Sequence, residues 1–452
     1  MISTVKIFLP YYKRNLKLAL PVIIAQIGQV MVQQVDNMMV GHRGTLDLAA
    51  SAFANSIFII GMIITMGFSF GMTPIVGKSV ARGDKTALSS IFYNSLFINI
   101  ALNIAIGILL LLAIFAFPFM NQKAGVAELA IPYYIVLVIS LIPLSFFFTF
   151  KQFSEGIGNT KNAMYITIVG NLVNVIFNYF LIYGKFGFPE MGLLGAGIAT
   201  LLSRIVMALG FAYIFAREEA FIPYFLVEKI PPINKVYLKE LFHLGYPISL
   251  QLLLEVLAFA IGAIMAGWLG VVAIASHQIV LGLASISFMI VVGIGSATTI
   301  RVSHQLGTGD IHAMTMAAKA SVHLVISFMA MTGALFYLFR YYIPQIYSND
   351  VAVIELCSQL LIFAAMFQLF DGLQVVMLSI LRGIGDVKRA MVYAFIAYIV
   401  VNIPLAYLLT FELGLGIIGI WIAFIVGLGF ASTLFYIRYR NVLKNISNHL
   451  PK

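Results

Sequence analysis

Residues Gly156-Ile-Gly-Asn-Thr-Lys-Asn-Ala-Met164 are echoed by Gly383-Ile-Gly-Asp-Val-Lys-Arg-Ala-Met391, 227 positions later. A match of this length signals an internal duplication, and it extends in both directions. At an offset of 226, Pro21 meets Pro247, Gly41 meets Gly267, Gly67 meets Gly293, Val76 meets Val302, and the pair Gly83-Asp84 meets Gly309-Asp310. Near the ends of the halves, Gly192, Gly195 and Ala199 answer Gly416, Gly419 and Ala423.

Composition says what is duplicated. The chain is 62% hydrophobic and 10% charged, with a mean hydropathy of +1.02, whereas soluble domains run near about 45–50% apolar and about 25% charged. A spanning helix needs about 20 mostly apolar residues, and twelve such runs occur, from 16–41 to 415–437. The short alternating segments of a β-barrel are not seen. The expected fold is all-α: a polytopic membrane protein with twelve transmembrane helices in two pseudo-symmetric six-helix lobes. These are residues 1–216 and 241–452, joined by a polar cytoplasmic linker, 217–240, with Pro223, Pro231 and Pro232. Six is even, so both halves enter the membrane in the same sense. Parallel repeats of this kind commonly flank a substrate pathway worked by alternating access.

Charge placement sets the orientation. Of the 27 Lys and Arg residues, only Arg43, Lys123, Lys185 and Arg340 fall in the loops on one side, and Arg204 lies inside a span. The rest crowd the other side with both termini, which are therefore expected in the cytoplasm. The net charge of +10 is spread over every inner loop without a basic stripe, which argues against a nucleic-acid partner. Cys357 is the single cysteine, so no intrachain disulfide or thiolate metal cluster can form.

Two motifs come close to soluble-enzyme signatures and fail on context. Gly414, Gly416 and Gly419 satisfy GxGxxG but open a membrane helix with no preceding strand. The run Gly71 to Ser79 resembles a P-loop with one residue too many. No ATP, no cofactor and no enzymatic activity are expected; an ion gradient must supply the energy.

Three acids lie within the apolar runs: Asp36, Glu255 and Asp371. A carboxylate at that depth costs a few kcal/mol or more, and chains keep one mainly to handle an ion, a proton or a cationic substrate. The repeat aligns Asp36 with Gly262, Glu255 with Gln29 and Asp371 with Leu144, so the acids are not architecture inherited by both halves. Glu255 and Asp371 count to similar depth and can share a cation site. Two neighbouring carboxylates in low dielectric need a cation between them or a proton on one, so Na⁺ and H⁺ both remain open. In the N-terminal half, Asn171, Asn174 and Asn178 share a helix face, and Asn174, Asn178 and Thr200 fall at the level of Asp36. That set can bind Na⁺ or a proton, or attract a cationic substrate.

Duller readings fit the other polar residues. Arg204 is expected to pair with carbonyls or line a vestibule; Glu155, Asp84, Asp310 and Asp386 sit in turns beside Gly, where capping explains them. His277 and Gln278 begin the eighth span, His277 as a loop-end residue and Gln278 with access to a cavity.

These features together resemble the multidrug and toxic compound extrusion (MATE) transporters, and among them the NorM-like branch. The resemblance rests on Pro21, Gln33-Gln-Val-Asp36-Asn-Met-Met-Val-Gly41, Gly83-Asp84, Glu255, Gly307-Thr-Gly309-Asp310, and Asp371 upstream of Leu381-Arg-Gly-Ile-Gly-Asp386. It implies a V-shaped cavity between two lobes and export of lipophilic, often cationic drugs and dyes in exchange for Na⁺ or H⁺. It also implies a monomer in the bacterial inner membrane. By position, Asp36 resembles the family's N-lobe acid with Asn174, Asn178 and Thr200 as neighbours, and Glu255 and Asp371 resemble the C-lobe cation pair. Gln278 resembles a cavity residue, and Asp350, in an outer loop, is placed to meet cationic drugs. Some relatives carry Tyr one turn before the helix-10 Asp; this chain has Phe367. The alternative is a flippase for lipid-linked oligosaccharides, but a diphosphate cavity should be basic, and here the buried charges are mostly acidic.

Overall fold

A computed structural model describes residues 2–120, 122, 125–227 and 229–449. The outer-loop residue Lys123 and the terminal Lys452 lie outside them. Among the described residues there are helices and turns but no strand. Twelve helices are long and apolar enough to cross a membrane: α1 (Lys6–Arg43), α2 (Thr45–Ala81), α3 (Lys85–Met120), α4 (Val126–Ile157), α5 (Lys161–Tyr183), α6 (Leu193–Arg217), α7 (Lys235–Trp268), α8 (Val271–Gly307), α9 (Ile311–Leu338), α10 (Val351–Ile384), α11 (Val387–Glu412) and α12 (Ile417–Ile446). Several outrun the apolar stretches, because their polar ends extend the same hydrogen-bonded ladder beyond the hydrocarbon. Apolar side chains stay exposed where lipid would cover them, as at Leu109 (67%) and Leu209 (65%).

The helices gather into two compact units, residues 24–249 and residues 1–23 with 250–452. The division departs from the halves expected at 1–216 and 241–452. It falls inside α1, between Ile23 and Ile24, and inside α7, between Ser249 and Leu250. These positions are repeat equivalents, each two residues past Pro21 or Pro247. Proline lacks the N–H that would bond the preceding turn, so each helix has one backbone bond fewer in the turn just before the division.

Within each unit the duplication is visible as equivalent packing. In the first-named unit, α4 lies against α2, α3 and α6; in the other, its counterpart α10 lies against α8, α9 and α12. A Cβ on Gly156 would come within 2.7 Å of Val76 Cβ, and one on Gly383 within 2.8 Å of Val302 Cβ. Those four residues are two repeat pairs, so the small-residue contact that lets these helices approach closely is duplicated with the sequence. Asp84 accepts from the Ala87 N–H at 2.9 Å to cap α3, and Asp310 accepts from the Ala313 N–H at 2.8 Å to cap α9.

The units also differ. Helix α4 is interrupted at Ser140, between segments 126–139 and 141–157, because Pro143 cannot donate to the turn before it. Helix α10 runs unbroken, with Phe370 at the equivalent position. Helix α11 carries two π-helical segments, Ile396–Asn402 and Leu408–Glu412, wider turns that often mark functional positions.

Candidate functional site

In the unit of residues 24–249, the polar centre forms where α1, α5 and α6 meet. Asn178 and Asn174, four residues apart on α5, stack one above the other, and the Asn178 Nδ2 donates to Asp36 Oδ1 at 2.5 Å and to Asn174 Oδ1 at 3.1 Å. Asn174 Nδ2 in turn donates to Thr200 Oγ1 at 3.3 Å. The chain of amides is buried, whereas Asp36 and Thr200 are half-buried. Asn178 Oδ1 has no hydrogen-bond partner. The expected cluster of Asp36, Asn174, Asn178 and Thr200 is therefore assembled; Asn171 is not tied into it by a hydrogen bond among the described residues. What the arrangement offers is one half-buried carboxyl group held by an amide on one oxygen.

Arg204 belongs to the same unit. Its Nη1 donates to the Ser140 hydroxyl at the break in α4, and its guanidinium lies over the Phe58 ring, 5.3 Å from the centroid. The expected carbonyl pairing gives way to a hydroxyl because Pro143 opens the helix and turns Ser140 into a fixed acceptor.

The other unit holds the carboxylate pair. Glu255 on α7 is 7% exposed and Asp371 on α10 is 3% exposed, and the two carboxylates act on each other electrostatically. Glu255 Oε1, Asp371 Oδ1 and Gln374 Oε1 are buried oxygens without a hydrogen-bond partner. Gln251, one turn before Glu255 on α7, donates to Glu255 Oε2 at 3.5 Å, and Gln374 lies alongside Glu255. The Gln374 amide donates to the Tyr398 hydroxyl, which is carried on the first π-helical segment of α11. Phe367 packs instead against Trp421, with centroids 5.4 Å apart; a hydroxyl reaches this neighbourhood from α11 rather than from the turn before Asp371.

Gln251, Gln374 and Tyr398 were not singled out by sequence, although Gln251 and Glu255 are spaced four apart and so share a face. Arg382 counts from sequence as the inner end of its span, but α10 continues to Ile384. Arg382 Nη2 donates to Gln251 Oε1 at 2.6 Å. The set of oxygens fits a small hard monovalent cation, for which carboxylate, amide and hydroxyl oxygens are suitable donors. Among the described residues no group of three or more His, Cys, Asp and Glu comes together.

Other expected positions are more ordinary. Gln278 is exposed, a turn or more inside α8, which begins at Val271. His277 is not a loop end: it is fully buried, with its ring 5.8 Å from Trp421. Asp350 is exposed and caps α10, accepting from the Ala352 N–H at 2.9 Å. Asp386 stands at the N-cap position of α11 but its side chain makes no capping hydrogen bond, and Glu155 lies within α4 rather than at its end. Asp386 pairs with Arg438 at 2.5 Å, and Glu155 is buried inside α4 with Lys151 Nζ 3.9 Å away. Cys357 is buried.

Comparison with known proteins agrees with this architecture. A sequence model of the MatE family matches residues 21–180 and again 247–408, two matches that begin at the paired prolines. A multidrug resistance protein MdtK of Pectobacterium atrosepticum is 34% identical, with 94% of each chain aligned. A probable multidrug resistance protein NorM of Rhizobium meliloti is 32% identical over 97% of this chain and 95% of its own. Among solved structures, a MATE protein in a bent conformation superposes with a TM-score of 0.89 at 22% identity, covering 97% of this chain and 96% of that one. A MOP superfamily transporter from Pyrococcus furiosus superposes with a TM-score of 0.87 at 22% identity, covering 97% of each.

Proposed function

The chain belongs to the MatE family, and from that premise we propose that it is a multidrug efflux transporter of the bacterial inner membrane. It exports lipophilic organic cations by alternating access in exchange for Na⁺ or H⁺. The observation that carries this reading is the pair of buried carboxylates, Glu255 and Asp371, each with an oxygen that has no hydrogen-bond partner. Isolated buried charge of this sort is unfavourable, and a pair of like charges more so; loading with a cation relieves both.

The two acidic centres are suited to different guests. Asp36 is a single, half-buried carboxylate, so a bulky organic cation can approach it. Glu255 and Asp371 are almost fully covered, so a bare ion or a proton fits there better than a drug. In the proposed cycle, cation loading at the pair favours drug release from the outward-open form and return to the inward-open form, as differential affinity for two states requires. No ATP and no cofactor enter.

The test is efflux of a fluorescent organic cation from proteoliposomes under an imposed Na⁺ gradient and, separately, an H⁺ gradient. Efflux above that of protein-free liposomes under either gradient is expected and names the ion. Absence of efflux under both contradicts the antiporter reading and moves the assignment to the lipid-linked oligosaccharide flippase.

A further inference from the structure

Arg382 occupies a place in the duplication that no inherited architecture explains. Gly383 aligns with Gly156, so Arg382 aligns with Glu155, and the repeat reverses charge at this position. Each is the residue before the glycine that packs against its valine, Val302 or Val76. Glu155 has a neighbouring Lys151 on its own helix, whereas Arg382 acts electrostatically on Glu255 of another helix. Arg382 lies eleven residues after Asp371 on α10, about three turns, and therefore on the same face. Side chains on a helix lean toward its N-terminus, which directs the guanidinium back toward the carboxylates.

The guanidinium stops one side chain short. Its Nη2 is bound to Gln251 Oε1 at 2.6 Å, and the amide of Gln251 is in turn 3.5 Å from Glu255 Oε2. Arg382 Nε is buried and has no partner, while Glu255 Oε1 and Asp371 Oδ1 are buried acceptors without donors. Among the described residues the guanidinium makes no direct ion pair with either acid. An unused donor and unused carboxylate oxygens are thus separated by a single neutral amide, with a donor fork of fixed shape that can engage a carboxylate through two N–H groups.

We propose that Arg382 is a tethered internal cation that competes with the coupling ion for Glu255, and that Gln251 is the latch that holds it back while the ion is bound. When the ion leaves, the guanidinium moves from Gln251 to Glu255 and neutralises it; when an ion arrives, the guanidinium returns to Gln251. The pair is then never left with two bare charges, and ion release is assisted. Arg382 acts on the ion through Glu255 and is a positioning residue. The inference rests on Glu255 and Asp371 being the coupling site.

The test uses the purified full-length protein and equilibrium binding of ²²Na⁺, repeated as proton uptake on ligand-free protein if wild type shows no saturable Na⁺ binding. Arg382→Gln removes the competitor and is expected to bind the ion about tenfold tighter or more, with slower exchange in proteoliposomes, since close charge pairs couple strongly. Gln251→Leu frees the guanidinium to seize Glu255 and is expected to bind the ion about tenfold more weakly, the opposite sign. Arg382→Lys keeps the charge but loses the planar two-pronged fork, so its ion affinity is expected to fall between those of wild type and Arg382→Gln. If Arg382→Gln does not fold, the sign for Gln251→Leu decides alone. Unchanged or weaker binding in Arg382→Gln, or tighter binding in Gln251→Leu, overturns the proposal while leaving the site intact. Wild-type binding that Glu255→Gln does not alter overturns the site itself, and the latch with it.

Discussion

The two units carry the same helices and opposite ways of keeping acid in a membrane. The polar centre of residues 24–249 has one carboxylate, Asp36, half-buried and clamped by the Asn178 amide. The other unit, residues 1–23 with 250–452, holds two, Glu255 and Asp371, deeply buried, each with an unpartnered oxygen, and a guanidinium at one remove. Because the repeat gives both units the same helix packing around α4 and α10, the contrast turns on the side chains and local helix breaks that differ. Duplicated features such as Gly156 and Gly383 pack helices, and the proposed chemistry falls on unduplicated ones, Asp36, Glu255, Asp371 and Arg382.

The strongest way to break this comparison is to neutralise the pair. Glu255→Gln and Asp371→Asn should each reduce gradient-driven efflux to the level of protein-free liposomes, with the protein still inserted and monodisperse. Asp36→Asn should leave ion binding in place and weaken organic-cation binding instead, by about 10- to 100-fold, the worth of one or two charge-assisted interactions; fluorescence titration of a dye checks it. Thr200→Val should cost less, within about tenfold, because Thr200 meets Asp36 only through two amides.

The duplicated positions sharpen the same contrast from the structural side. Gly156→Ala and Gly383→Ala each place a methyl group inside van der Waals contact of a valine and should destabilise by about 1–3 kcal/mol, equally in the two units, as thermal melting in detergent would show. Smallest are the caps: Asp84→Ala and Asp310→Ala should each cost about 1 kcal/mol without altering dye or ion binding.

Most of the fold was legible because the bilayer leaves a narrow choice: a long apolar run must be a helix, and repeat spacing counts helices per half. The cluster of Asp36, Asn174, Asn178 and Thr200 was legible for the same reason, since helical spacing fixes faces and counting fixes depth. Membership of α1 and α7 was not, because an uninterrupted apolar pattern does not say which unit each end of a helix joins. Arg382 escaped because a basic residue near a helix end looks like a topology signal, and only the packing shows that its side chain turns inward. Gly beside an acid signals a turn, which places Asp386 at the start of α11 but does not show that its side chain goes to Arg438 from α12, nor that Glu155 lies inside its helix beside Lys151.

The division of labour between the units is tested most directly by titrating one fluorescent organic cation into wild type, Asp36→Asn and Glu255→Gln while following ²²Na⁺ or proton displacement from the same samples. The account predicts lost dye affinity with retained ion binding in Asp36→Asn, and retained dye binding without ion displacement in Glu255→Gln. The reverse pattern, or equal loss of both ligands in both variants, would contradict it.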